Sequence, residues 1–245
     1  MMQCDLVTGV CALPDAGDDA ATDPQSVGAH PTFHYIGDPM CSWCWAISPA
    51  LEAVAAFCAA RDIGFSITVG GLRAGGGDAW NAAFRDFLRK EWQHVAAVSG
   101  QPFGFSLLDA PHFDYDTEPA CRAVVTAQRL QARGDGPGSA VLPFFAAVQR
   151  KFYVDGQDPK IVDFYADICR SLNMDFDAFR RLFASPEAQA ATQQAFVRCR
   201  QWGVRSFPTL ALEREGRLQI LANGFVTPEQ AIALAEQVTA DGAQR

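Results

Sequence analysis

Two cysteines separated by two residues, in Asp38-Pro39-Met40-Cys41-Ser42-Trp43-Cys44-Trp45, are the part of this chain best equipped for chemistry. A thiolate one helical turn from a second thiol can attack a disulfide, carry a mixed disulfide, and be released by its neighbour. The flanking residues give that pair its setting. Phe33-His34-Tyr35-Ile36 is short, aromatic and β-branched, as a buried strand requires. Ile47, Leu51, Val54 and Cys58 recur at spacings of four, three and four, which is one face of a helix. Cys41 then falls at a strand-to-helix turn, where unpaired N–H groups and the positive end of the helix dipole favour a thiolate. Such surroundings move a cysteine pKa from about 8.5 into a range of roughly 3.5–7.5. The pattern predicts an acidic, reachable Cys41 with Cys44 ready to take over from it.

The same spacing serves as half of a zinc site, which normally needs two more ligands at similarly tight spacing. The sequence holds no second Cys-x-x-Cys, and its four histidines (His30, His34, His94, His112) form no paired motif. No metal ligand is therefore assigned.

The chain's 245 residues suffice for one large domain, or a domain with a sizeable insertion. Apolar residues make up 49% and charged residues 20%, an ordinary globular composition. A net charge of −8 argues against nucleic acid or anionic lipid as a general partner. No apolar run approaches the roughly 18–20 residues of a membrane span. The first Lys or Arg is Arg61, and no apolar run of signal-peptide type precedes it, so the expected location is cytoplasmic. Most of the eight cysteines are then expected to be reduced.

Residues 1–30 are acidic, rich in Gly, Ala and Pro, and without periodicity, and read as a flexible tail. Within them Cys4 and Cys11 bracket a turn-prone Thr8-Gly9. They are either two exposed cysteines without a role or an auxiliary dithiol that exchanges with the main pair. A flexible linker of about thirty residues averages roughly 30 Å end to end, so contact with Cys41 is physically possible.

From Phe33 the pattern is strand, turn and a helix to about Ala60, kinked at Pro49, and then a second strand over Ile63 to Val69. A connection this long implies a right-handed crossover and parallel pairing. Helical stripes follow, on Trp80 to Val95, after Asp116-Thr117-Glu118-Pro119, on Leu142 to Phe152, from Asp158-Pro159 to Leu172, and on Phe176 to Phe183. Cys58, Cys121, Cys169 and Cys199 fall mostly on such faces and read as small buried hydrophobes. Ser185-Pro186 opens another helix, closed by Gly203. A strand over Phe207 to Leu212 pairs with Arg217 to Leu221, and Thr227-Pro228-Glu229-Gln230 is a capping box for a last helix.

This order of elements resembles the thioredoxin fold with a large all-helical insertion, an α/β class. The likeness is to the DsbA-like family of thiol–disulfide oxidoreductases, in its branch of FrnE-like proteins and predicted protein-disulfide isomerases. It is carried by Asp38-Pro-Met-Cys-Ser-Trp-Cys-Trp45, Asp116-Thr-Glu-Pro-Ala-Cys-Arg-Ala123 and Gly203-Val-Arg-Ser-Phe-Pro-Thr-Leu210, and spans about residues 32–240. The resemblance implies a discontinuous thioredoxin-like domain of residues 31–72 and 187–241, and an inserted helical domain of residues 73–186. It implies Cys41 as the attacking thiol and Cys44 as the resolving one. It makes Pro208 a cis-proline facing them, with Trp43, Phe207 and Pro208 shaping the substrate groove. A cis bond there would leave the Phe207 backbone free to pair with an extended substrate chain. Ser42-Trp43 stands where better-known relatives carry Pro-His or Gly-Pro, so the redox poise is not inherited from them. The implied partners are protein or low-molecular-weight disulfides and thiols. No resident cofactor is expected, and glutathione is a candidate redox partner.

Two other readings remain open from the sequence. The related 2-hydroxychromene-2-carboxylate isomerases and kappa-class glutathione transferases share this architecture but generally lack the intact dithiol. A non-catalytic metal-binding protein using Cys4, Cys11 and the central pair is the third.

Overall fold

The computed structural model of the chain describes residues 3–5, 7–13, 31–134 and 140–243. Its first element is a hairpin, β1 (Gln3–Asp5) and β2 (Val10–Ala12), where the sequence predicts an irregular tail. Asp5 closes the turn, because its carboxylate accepts the Val7 and Thr8 N–H groups at 2.8 and 3.2 Å. Gly9 supplies the positive φ of 68° that the turn needs. Cys4 and Cys11 face each other across the hairpin and are disulfide-bonded. The rest of the predicted tail, residues 14–30, lies outside the described residues.

β3 (Thr32–Gly37) leads to α1 (Ser42–Ala46), which Ile47 separates from α2 (Ser48–Ala59). The break falls where Pro49 was expected to kink one helix; Pro49 instead sits in the first turn of α2, which requires no N–H there. β4 (Gly64–Val69) pairs in parallel with β3, as the crossover length requires. α3 (Ala82–Ser99), α4 (Glu118–Arg133), α5 (Val141–Tyr153), α6 (Ala166–Ser171) and α7 (Phe176–Phe183) follow. The helix expected from Asp158-Pro159 starts later. The Asp158 carboxylate accepts the Lys160 N–H at 2.9 Å and holds a turn, and a short 3₁₀ segment at Val162–Tyr165 then precedes α6.

α8 (Pro186–Gln201) starts where read, with Ser185 Oγ accepting the Ala188 N–H. β5 (Ser206–Phe207), β6 (Thr209–Arg214) and β7 (Arg217–Asn223) come next. The last helix, α9 (Pro228–Ala243), begins with the expected capping box, in which Thr227 N–H donates to Gln230 Oε1 and Gln230 N–H to Thr227 Oγ1, at 2.9 and 3.3 Å. The main sheet has the order β4-β3-β6-β7, with β6 antiparallel to both neighbours. α2 packs on α9 and β4, and α4 and α8 also reach β4. This is a thioredoxin fold carrying a large helical insertion.

The inserted helices are held by aromatic packing, which rewards large rings beyond their buried area. Trp92 meets Phe152 and Tyr153 edge-on at 6.0 and 5.1 Å, and Tyr115 joins through Phe152 at 5.8 Å. A second group stacks Phe144 on Tyr165 and Phe179 on Phe183. Cys58, Cys121, Cys169 and Cys199 are buried, as their helical faces predict.

Candidate active site

The Cys-x-x-Cys pair sits at the junction of β3 and α1. Cys41 has an extended backbone (φ −92°, ψ 122°) and donates its N–H to the Asp38 carbonyl at 3.1 Å, so Asp38 to Cys41 form a closed turn. Its carbonyl then accepts the Trp45 N–H, starting α1.

Asp38 fixes this turn to the rest of the molecule. Its fully buried carboxylate accepts the Met40 N–H at 2.8 Å and the Leu72 N–H, beyond β4, at 2.7 Å. The Cys121 thiol, on α4, donates to the same group at 3.4 Å. Burial raises the Asp38 pKa against the pull of these donors. The inserted helices grip the turn as well. Tyr115 Oη donates to the Met40 carbonyl at 2.8 Å, Trp45 Nε1 to the Pro102 carbonyl at 3.0 Å, and Gln101 Nε2 to the Trp45 carbonyl at 3.1 Å.

From the other side comes Phe207-Pro208. The peptide bond between them is cis, as the resemblance implies. The Phe207 carbonyl lies 3.9 Å from Cys41 Sγ, which donates to it. The Phe207 ring rests against Gly70, where any Cβ would overlap it. Pro208 is buried, and its carbonyl accepts the Gly224 N–H at 2.8 Å. Cys44 Sγ accepts the Asp38 N–H at 3.4 Å. Tyr35 also lies beside Cys44: a Cβ on Gly37 would overlap the Tyr35 hydroxyl and lie 3.0 Å from Cys44 Sγ. The five residues predicted for the site, Cys41, Trp43, Cys44, Phe207 and Pro208, are therefore neighbours, with positions 41–44 and 207–208 brought together from opposite ends of the chain.

Three expectations are corrected. Cys41 is not reachable here: both sulfurs are fully buried. Nor is it acidic, because burial first, and then the neighbouring Cys44, push its pKa well above the ordinary thiol range. Its thiol donates to the Phe207 carbonyl, which favours the protonated form. Also, the Phe207 backbone is not free. Cys11 of β2 pairs directly opposite Phe207, Ala12 opposite Ser206, and Leu13 N–H donates to the Arg205 carbonyl at 2.8 Å. Trp43 is buried too, between His94 and Phe225, each at 5.8 Å between ring centroids. Gly9 of the hairpin turn lies against it: a Cβ there would come within 3.2 Å of the Trp43 ring.

Sequence reasoning assigned no role to Tyr35, Tyr115, Cys121 or the Asp38 carboxylate. Their partners are 34 to 83 positions away in the cases of Leu72, Met40 and Cys121, and no local pattern announces such contacts. Among the described residues, no three His, Cys, Asp or Glu side chains gather as a metal would require. No helix among them is long and apolar enough to cross a membrane.

Glu91, one helical turn before His94 on α3, is buried with its Oε2 unpartnered. Burial pushes its pKa up from the ordinary 4.5 to about 6, against the pull of His94. A carboxyl that binds its proton more tightly when folded stabilises the fold below pH 4.5 and loses that contribution as pH rises through about 6. The loss is about 2 kcal/mol. Glu91→Gln is expected to flatten the decline in melting temperature between pH 4.5 and 6.5; an unchanged decline would show that another group titrates there.

A dithiol at the start of a helix beneath a cis-proline strand, on a thioredoxin fold, defines a disulfide oxidoreductase. Known structures agree. A candidate protein disulfide isomerase from Nitrosomonas europaea is 32% identical, with a TM-score of 0.76 over 86% of this chain and 98% of that one. The cytosolic disulfide reductase DsbM from Pseudomonas aeruginosa is 28% identical, with a TM-score of 0.68 over 85% of this chain and 99% of that one. A 2-hydroxychromene-2-carboxylate isomerase, at 13% identity and a TM-score of 0.56 over 87% of this chain and 97% of that one, shares the fold. No family model matches the chain, and no curated protein does. This chain belongs to the DsbA-like family of thiol–disulfide oxidoreductases.

Proposed function

We propose that the chain reduces or rearranges protein and low-molecular-weight disulfides in the cytoplasm, with Cys41 as nucleophile, Cys44 as resolving thiol and glutathione as electron source. The observation that carries this reading is the placement of Cys41 Sγ 3.9 Å from the carbonyl of Phe207, the residue that precedes the cis bond. Once β2 leaves the Phe207 edge, a substrate strand paired there would bring its own disulfide to that sulfur.

Cys41 first gives up its thiol proton to water and then, as thiolate, attacks one substrate sulfur; the new S–S bond forms as the substrate S–S bond breaks, and the second substrate sulfur leaves as a thiolate. Cys44 then attacks Cys41, releasing the first substrate sulfur and leaving Cys41 and Cys44 joined. Two glutathione thiols return that disulfide to the dithiol and become one glutathione disulfide. Trp43, Phe207 and Pro208, buried beneath the hairpin, would form the walls of the substrate groove once it is displaced. Glutathione as partner is supported by the structure of the 27% identical DsbM with glutathione, and the cytoplasm by that protein's description as cytosolic.

Insulin reduction driven by glutathione tests the proposal. The expected result is turnover well above that of glutathione alone and saturable in insulin. A rate equal to that of glutathione alone would reject it.

A further inference from the structure

The β1–β2 hairpin does more than cover the site. Cys11 stands opposite Phe207 in an antiparallel register, and the Phe207 carbonyl accepts from Cys41 Sγ at 3.9 Å. Directly opposed residues in antiparallel strands lie about 4.5–5.5 Å apart between Cα atoms, so Phe207 has Cys11 as its strand partner and Cys41 at its carbonyl. Further contacts seat the hairpin. Phe225 N–H donates to the Gly9 carbonyl at 3.2 Å, and Gly224 has no Cβ where one would collide with the Thr8 carbonyl. Cys11 is fully buried, whereas its disulfide partner Cys4 is half-exposed on an open cleft of about 690 Å³ shared with Phe87, Ser206 and Asn223.

We propose that the Cys4–Cys11 disulfide is a second redox-active centre, an internal substrate held on the strand edge at Phe207 and exchanging in cis with Cys41 and Cys44. This rests on the reading of Cys41 as nucleophile. Cys41 attacks the inner sulfur, Cys11; the Cys4–Cys11 bond breaks, and Cys4 leaves as a thiolate toward the cleft. Cys44 then attacks Cys41, the Cys41–Cys11 bond breaks, and Cys11 takes up a proton. Two electrons pass from one dithiol to the other disulfide, and no outside oxidant or reductant is consumed. The exchange runs in both directions. Its consequence is a gate: two-stranded hairpins are marginal on their own, so once reduced the hairpin is held less firmly and the Phe207 edge opens to an external chain.

The test uses two double variants of the full chain. Cys4→Ser/Cys44→Ser keeps Cys11 and Cys41, and Cys11→Ser/Cys44→Ser keeps Cys4 and Cys41. Each is reduced, treated with oxidised glutathione, quenched in acid, alkylated and mapped by peptide mass. The first is expected to form an intramolecular Cys11–Cys41 disulfide at a rate independent of protein concentration and at least tenfold faster than Cys4–Cys41 forms in the second. Capture of Cys41 by glutathione in both variants, with no Cys11–Cys41 peptide, would overturn the internal exchange while leaving the proposed function intact. A Cys41 that takes up neither partner would overturn both. As a second readout, Cys4→Ser/Cys11→Ser is expected to reduce insulin without the lag shown by the air-oxidised parent; identical progress curves would reject the gate.

Discussion

Cys41→Ser is expected to lower glutathione-driven insulin reduction at least about a thousandfold, to the rate of glutathione alone. The oxygen that replaces the sulfur is no nucleophile toward a disulfide, and none of the other free cysteines is placed to take its role. Cys58, Cys169 and Cys199 are buried elsewhere in the fold, and Cys121, beside the turn, donates its thiol to the Asp38 carboxylate. Cys44→Ser has a different signature. The first attack still occurs, but release depends on glutathione, and the enzyme stalls as a mixed disulfide. Initial rates measured for both variants separate the two roles. Retention of more than about a tenth of the parent rate in Cys41→Ser would remove that residue from the mechanism.

The second large effect is on stability. Asp38→Ala is expected to cost about 4 kcal/mol, because the buried Met40 and Leu72 N–H groups lose their acceptor together. Charge-assisted bonds of this kind are worth about 1.5–3 kcal/mol each, and the gain from no longer burying a carboxylate offsets part of the loss. For a chain of this size the melting temperature falls by roughly 10 °C. Asp38→Asn keeps one carbonyl oxygen and is expected to lose less than half as much. Thermal denaturation of the two variants checks this, and an Asp38→Ala protein as stable as the parent would refute the tethering role. Activity is expected to fall with stability, since this one carboxylate ties the turn that carries Cys41 to Leu72 beyond β4.

Much of the thioredoxin-like part was legible because its signals are local. The alternation in Gly64–Val69, the capping box at Thr227 and the Ser185 cap each depend on a few adjacent residues. Asp158-Pro159 looks like an equally good cap, yet the Asp158 carboxylate turns to Lys160 and delays the helix, so the same residue types serve two outcomes. The hairpin was hidden for another reason. Gln3–Asp5 and Val10–Ala12 are three residues each, too short to show a period, and their pairing partner at Ser206–Phe207 lies nearly two hundred positions away. Only the Cys4 and Cys11 spacing around Thr8-Gly9 hinted at it. The two sulfurs of the active site could be located from sequence. Their burial could not, since it depends on packing around Trp43 and on the strand laid along Phe207.

The account depends on Cys41 making the covalent bond to substrate, and trapping that bond tests it most directly. Cys44→Ser, incubated with insulin and digested without reductant, is predicted to yield a peptide in which an insulin cysteine is joined to Cys41. A cross-link at any other cysteine, or none at all in a protein that still reduces insulin, would contradict it.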